Sequence, residues 1–102
     1  MYRVLHVDDE QILLTISKRY LEEDKEFAID TACSAKGILH KEDLSSYDAI
    51  ISDYQMPDMN GIQFLKEVRA RSGDIPFILF TGKGRKDVVI EAINNGADFY
   101  LQ

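Results

Sequence analysis

The stretch that decides the fold is Ala49-Ile50-Ile51-Ser52-Asp53-Tyr54-Gln55-Met56-Pro57-Asp58-Met59-Asn60-Gly61. Its apolar run, stopped by an acid, predicts a strand buried on both faces of a sheet, with Asp53 at the carboxyl end. Pro57 and Asn60-Gly61 then predict a turn. In open parallel sheets, ligands bind beyond the carboxyl ends of the strands, which places Asp53 at a cleft. Taken alone, Asp53 could equally serve only to cap the turn.

The start of the chain repeats this pattern of an apolar run ended by acids. Residues Tyr2 to Val7 favour a strand, and Asp8 and Asp9 follow it directly. If the two strands are neighbours, Asp8, Asp9 and Asp53 converge, which is unfavourable unless a cation or a proton neutralises the charge. Carboxylate oxygens without imidazole or thiolate suit Mg²⁺. A carboxylate beside such an ion can attack phosphorus to form an aspartyl phosphate.

The remaining sequence alternates predicted strands with predicted helices. This alternation is typical of βαβ units, and it predicts a parallel sheet with right-handed crossovers. Strands are expected at 2–7, 27–32, 49–53, 76–81 and 98–102, and helices are expected to begin near Gln11, Ser34, Asn60 and after Arg85. Five strands with four helices leave a doubly wound sheet one helix short.

Periodicity also predicts the capping and the buried faces of the helices. The first helix carries Ile12, Ile16 and Tyr20 at four-residue spacing, which predicts an amphipathic helix that Asp9 or Glu10 can cap. In the second half of the chain, Asn60 is expected to cap the third helix, and the last helix is expected to turn Val89, Ala92 and Ile93 inward.

Length, charge and cysteine content limit the functions that the chain can have. The 102 residues predict one domain, and the net charge of -6 argues against direct binding to nucleic acid. Cys33 is the only cysteine, so an intrachain disulfide is excluded and a small buried hydrophobe is expected. No signal peptide or apolar stretch of membrane-spanning length is present, which predicts a cytoplasmic setting without a membrane partner.

With these motifs together, the chain resembles the receiver domain of two-component response regulators over nearly its whole length. The matching segments are Val7-Asp8-Asp9-Glu10, Asp53 to Gly61, Thr81-Gly82 and Gly96-Ala97-Asp98-Phe99-Tyr100-Leu101. The resemblance implies a flavodoxin-like, doubly wound, five-stranded parallel sheet in the order 2-1-3-4-5. It also implies a role for each of six residues: Asp53 as phosphoacceptor and Mg²⁺ ligand, Asp9 as direct Mg²⁺ ligand, Asp8 as a ligand through water, Gln55 as a ligand through its backbone carbonyl, Thr81 as switch hydroxyl and Tyr100 as switch aromatic.

One departure from the family concerns the end of the chain. Receivers carry a lysine three positions after the residue matching Tyr100, which falls beyond Gln102, and the family's final helix is missing as well. We therefore interpret residues 1–102 as a C-terminally incomplete receiver domain. The missing helix is expected to expose apolar sheet surface near Val4, Phe99 and Leu101, which favours dimers, swapping or aggregation.

Three functions are compatible with these residues. The first is a regulatory phosphoacceptor that takes a phosphoryl group from a histidine kinase or phosphotransfer protein, with at most weak self-catalysed phosphotransfer and dephosphorylation, and with an output domain in a longer parent chain. The second is a non-phosphorylated interaction module, which the missing lysine favours. The third is a phosphatase resembling haloacid dehalogenases, but their second acid would fall at Gln55, and an amide cannot act as a general acid.

Overall fold

The architecture is a parallel sheet with helices on both faces. The computed structural model describes residues 1–41, 43–81 and 86–101, and within these ranges it leaves out the side chains of residues 41, 86 and 99–101. The strands are β1 (Tyr2–Val7), β2 (Phe27–Ala32), β3 (Ala49–Asp53), β4 (Phe77–Phe80) and β5 (Phe99–Leu101). The helices are α1 (Gln11–Leu21), α2 (Ala35–Lys41), α3 (Gly61–Ser72) and α4 (Lys86–Asn94), and a 3₁₀ turn spans Leu44–Ser46.

The strand order places β1 and β3 side by side in the middle of the sheet. All neighbouring strands are parallel, and four strands follow the order β2-β1-β3-β4, with the three-residue β5 paired to β4 at the edge. The predicted flavodoxin-like arrangement with a parallel sheet is confirmed. Strand order reverses between β1 and β3, so the point where ligands bind in such sheets lies at their carboxyl ends.

One face of the sheet carries most of the hydrophobic core. Strand residues such as Leu5, Ile50 and Phe77 point to this face and are fully buried. They pack against α2, α3 and α4, with Phe64 meeting Phe77 edge-on at a ring-centroid distance of 5.8 Å. Burial of this apolar surface is the main stabilising contribution to the domain.

The opposite face is covered, among the described residues, by α1 alone. The sequence predicted an amphipathic helix from the spacing of Ile12, Ile16 and Tyr20; the helix is present, but these three residues do not form its buried side. Their exposed fractions are 75%, 58% and 73%, whereas Leu14 is buried. Four-residue spacing identified the helix correctly, but the side that it buries depends on which elements cover this face of the sheet.

An apolar groove lies between α1 and this face. It has a volume of about 340 Å³, and Leu13, Ile16, Ile51, Ile78 and Phe80 are among the residues that line it. Exposed apolar surface was predicted near Val4, Phe99 and Leu101. Val4 is in fact buried, the side chains of Phe99 and Leu101 lie outside the described residues, and the groove beside α1 is where apolar surface is accessible. The predicted dimer stays a prediction.

The helix ends agree with the sequence in part. The Asn60 side chain accepts a hydrogen bond from the Gln63 amide at 2.9 Å, while Gln63 Oε1 accepts from the Asn60 amide at 2.8 Å, so the predicted cap is confirmed. Glu10 precedes α1 but makes no side-chain cap, contrary to prediction. Two further predictions of burial are wrong, since Cys33 and Ile93 are exposed. No described helix combines the length and apolar character needed to span a bilayer.

Candidate functional site

The acidic residues converge because two neighbouring strands end at the same edge of the sheet. Val7, the last residue of β1, stands opposite Ser52 of β3 in the parallel register. Asp8 and Asp9 therefore leave β1 at the level where β3 ends with Asp53. One carboxylate oxygen from each of the three acids lies within 4.8 Å of the other two. The predicted meeting of these three side chains is thus present in the structure.

The three carboxylates differ in how much water they see. Asp8 is fully buried, Asp53 is half-buried and Asp9 is exposed. The Asp8 amide donates to the Ala32 carbonyl at 3.1 Å, and Asp8 Oδ1 accepts from the Glu10 amide at 2.9 Å. Asp8 is therefore held by backbone on both sides, whereas Asp9 is accessible to solvent.

The residue of the site whose pKa is changed most is Asp53. Burial raises the pKa of the Asp53 carboxyl to about 6, and the negative charges of Asp8 and Asp9 add to this increase. The backbone at Tyr54 and Gln55 lies close to the carboxylate and partly opposes this increase in the pKa. Placing a cation among the acids would remove the repulsion and favour the ionised, nucleophilic form.

A buried oxygen in this cluster indicates that the site is built for a further group. Asp8 Oδ2 is buried and has no hydrogen-bond partner among the described residues. A buried carboxylate oxygen left in that state is costly, so it points to a ligand at this position. Because the donor set is all oxygen, it fits Mg²⁺, which prefers carboxylates and water to imidazole or thiolate.

The other predicted site residues are placed at the same edge. Gln55 lies exposed in the loop after β3, two residues beyond Asp53. Thr81 follows β4 directly, is buried, and comes next to Phe80, the residue opposite Asp53. The backbone of Tyr100 pairs with Leu79, but its side chain lies outside the described residues. The roles predicted for these three residues stay predictions.

Gly61 is a residue of the site whose importance was not recognised from the sequence. A Cβ added at this first residue of α3 would lie 2.5 Å from the Asp53 carbonyl oxygen and 2.6 Å from Leu79 Cδ1. The Gly61 amide also donates to the Tyr54 carbonyl at 2.8 Å. The glycine therefore lets α3 begin directly against the end of β3, and the sequence signal, a glycine after a cap residue, had been assigned only to a turn.

His6 is a buried residue of β1 that contacts α1. Its exposed fraction is 6%, and Nδ1 lies 2.8 Å from Ser17 Oγ on α1. Burial lowers the pKa of His6, although the negative charge of Asp8 acts in the opposite direction. His6 thus joins β1 to α1 and lies outside the acidic cluster.

Comparison with known proteins identifies the same arrangement in one family. The sequence model of the response regulator receiver domain matches residues 4–102. A curated relative, the response regulator SaeR of Staphylococcus aureus, is 33% identical over 102 residues, covering 100% of this chain and 44% of SaeR. The two-component response regulator ORR21 of rice is 35% identical over 100 residues, covering 97% of this chain and 14% of ORR21. The chain thus spans less than half of either relative.

Solved structures agree with the sequence matches. A response regulator receiver domain protein from Clostridium thermocellum is 33% identical with a TM-score of 0.91, covering 99% of this chain and 81% of that one. The response regulator TrrA of Thermotoga maritima, solved in complex with Mg²⁺ and BeF, is 29% identical with a TM-score of 0.82 and covers 99% and 85%.

Proposed function

Because the chain belongs to the response regulator receiver domain family, we propose that it accepts a phosphoryl group on Asp53 with the help of Mg²⁺ and changes conformation in response. The observation that carries the proposal is the convergence of Asp8, Asp9 and Asp53 within 4.8 Å. Asp53 is assigned as the acceptor because it holds the position of the family's phosphoacceptor at the end of β3, and its partial exposure leaves it accessible to phosphorus, whereas Asp8 is buried.

The chemistry that this arrangement supports is transfer from a phosphorylated imidazole. An Asp53 carboxylate oxygen attacks phosphorus, the bond between phosphorus and the imidazole nitrogen breaks, and the released imidazole takes up a proton. Mg²⁺ bound by Asp9, Asp53, the Gln55 carbonyl and, through water, Asp8 would neutralise charge on both reacting anions. The Tyr54 amide donates to the Phe80 carbonyl at 2.9 Å, which fixes the backbone next to Asp53 for the attack.

The donor and the output follow from the same chemistry. A phosphohistidine on a histidine kinase or phosphotransfer protein would supply the phosphoryl group. The modified Asp53 would carry about two negative charges, and Thr81, buried at the same edge, would donate its hydroxyl to a phosphoryl oxygen. Tyr100 would then follow the displaced hydroxyl, and a further domain in a longer parent chain would receive the change.

The test is direct chemical labelling of the protein. The chain is incubated with Mg²⁺ and a small acyl phosphate, and its intact mass is measured. We expect the gain of one phosphoryl group, labile to alkali, which is lost in Asp53→Asn and kept in the control Asp58→Asn, an exposed acid of the same loop. A gain that survives Asp53→Asn would contradict the assignment of the acceptor.

The second candidate is an interaction module that is never phosphorylated. The observation in its favour is the apolar groove beside α1, which Ile51, Ile78 and Phe80 help to line and where a partner can dock without any change at Asp53. If the mass of the wild-type chain stays unchanged with the phosphodonor, while the acids still bind Mg²⁺, this candidate replaces the first.

A further inference from the structure

The guanidinium of Arg69, on α3, joins three segments at the end of the sheet opposite the acids. Nη1 donates to the carbonyls of Gly73 and Ile75 at 2.9 and 2.8 Å. Nε and Nη2 donate to the Gly96 carbonyl at 3.2 and 2.6 Å, and Nη2 also contacts Asp98 Oδ2 at 3.1 Å. We call these contacts the Arg69 clamp. They use the full planar fork of the guanidinium, which no other side chain supplies.

Asp98 extends the clamp into the sheet. Its Oδ2 also accepts from the Phe77 amide at 2.8 Å, and its own amide donates to the Phe77 carbonyl at 3.0 Å. The amino ends of β4 and β5 are thereby fixed to each other and to Arg69. The Arg69 side chain is 21% exposed, and the bonds to the Ile75 carbonyl and from the Phe77 amide to Asp98 are partly buried.

Gly96 is shaped to receive the arginine. Its φ of 91° lies in the left-handed region that favours glycine. A Cβ at this position would lie 3.0 Å from Arg69 Nε, so the absent side chain makes the space that the guanidinium occupies. Arg69 and Gly96 therefore form a matched pair at the corner that joins α4 to β5.

The Arg69 clamp lies near only one of the two ends of α4. The helix runs from the acidic edge, where β4 ends, to the clamped corner, where β5 begins. Two backbone hydrogen bonds join the last turn of α4 to this corner. The Gly96 amide donates to the Ile93 carbonyl at 3.1 Å, and the Ala97 amide donates to the Ala92 carbonyl at 3.0 Å. One end of α4 is thus tied down by many bonds, and the other end begins beside the candidate site.

We propose that Arg69 is a positioning residue of the switch: it fixes the corner between α4 and β5, so that a phosphoryl group on Asp53 moves α4 about this fixed end. The inference rests on the proposed function. A fixed pivot converts a small change at the acidic edge into a rotation of the helix, because packed elements move as units and do not deform continuously. Without the clamp, the same change would loosen the corner and leave α4 in place.

The experiment is hydrogen exchange with and without Mg²⁺ and beryllofluoride, a stable phosphoryl mimic. In wild type we expect the mimic to change exchange within residues 87–94, while residues 96–98 stay protected in both states. In Arg69→Met we expect about tenfold faster exchange at 96–98 in both states and loss of at least half of the mimic-dependent change at 87–94. Binding of the mimic, measured by calorimetry, should stay within about twofold because the clamp lies at the far end of the strands.

Two further variants separate positioning from general stability. Lys66→Met removes the ion pair that joins α3 directly to α4, between Lys66 and Glu91 at 3.8 Å, and should keep the wild-type response. Arg69→Lys keeps the positive charge but lacks the planar fork of the guanidinium. It is the variant to use if Arg69→Met does not fold, and it should also lose part of the mimic-dependent change at 87–94. A full mimic-dependent change at 87–94 in either Arg69 variant would overturn the pivot. A wild-type chain that does not bind the mimic would overturn the proposed function, and the pivot with it.

Discussion

At the scale of single residues, the structure makes ionisation of the Asp53 carboxyl unfavourable. Three acids that meet at one edge make the ionised carboxylate unfavourable, and burial adds to this effect. The sequence predicted the meeting of these residues because an acid after an apolar strand is visible in the sequence and parallel strands end at the same edge. It could not predict that Asp8 would be fully buried while Asp9 stays exposed, because that depends on how the following turn packs.

The first prediction concerns the dependence of stability on pH in the metal-free protein. The pKa of Asp53 is raised from 3.8 to about 6, so between these pH values the folded chain binds more protons than the unfolded chain. The stability contributed by this protonation is present below pH 3.8 and is lost as pH rises through about 6.

At pH 7 the substitution Asp53→Asn should therefore stabilise the metal-free chain. Because Asp53 is partly exposed, solvent screening reduces the effect to about 1 kcal/mol, or about 4–8 °C in melting temperature. Thermal melts at pH 5 and pH 7 measure it, and Asp58→Asn in the same loop is the control. Equal melting temperatures of wild type and Asp53→Asn at pH 7 would contradict the electrostatic account.

At the scale of elements, the position of each helix was easier to predict than the side that it buries. Asn60 as a cap and the βα alternation depend on local chemistry, so the sequence was sufficient for both. The stripe of Ile12, Ile16 and Tyr20 depends on what covers the far side of the sheet, and periodicity alone cannot tell which side that is. The Arg69 clamp was equally invisible, since three of its acceptors are backbone carbonyls and two of its partners, Gly96 and Asp98, lie far away in the sequence.

The docking of α3 on β3 gives the second prediction. The substitution Gly61→Ala places a methyl group against the Asp53 carbonyl and Leu79, and the backbone acceptor cannot yield as a flexible side chain would. We expect a loss of about 1–3 kcal/mol in the free energy of unfolding, measured by urea denaturation. Gly37→Ala is the matched control, because its nearest neighbours would lie 3.5 Å from the new Cβ. Similar free energies of unfolding for the two variants would contradict the close approach of α3 to the end of β3 at Gly61.

At the scale of the whole molecule, the two faces of the sheet are unequally covered. The described residues place three helices on the face of Leu5 and Phe77 and one helix, α1, on the face of Ile51 and Ile78. The sequence predicted this imbalance from its count of strands and helices. It misplaced the accessible apolar surface, since Val4 is buried and the accessible residues are Ile51, Ile78 and Phe80.

The groove beside α1 gives the third prediction. A chain of residues 1–102 should bind a hydrophobic dye, because Ile51, Ile78 and Phe80 line an accessible apolar groove. Ile16→Ser, at the groove, should reduce the dye fluorescence. Ile12→Ser, on the same helix, should not, since Ile12 is 75% exposed and does not line the groove. Equal fluorescence of the two variants would place the dye elsewhere.

The central claim is that the acids at the ends of β1 and β3 share one divalent cation, and calorimetric titration with Mg²⁺ tests it most directly. We expect one ion per chain, a higher melting temperature with Mg²⁺, and affinity reduced about tenfold or more in Asp9→Asn. Asp58→Asn should bind as wild type does. If Mg²⁺ produces no heat and leaves the melting temperature unchanged, or if the two variants weaken binding equally, the account is contradicted.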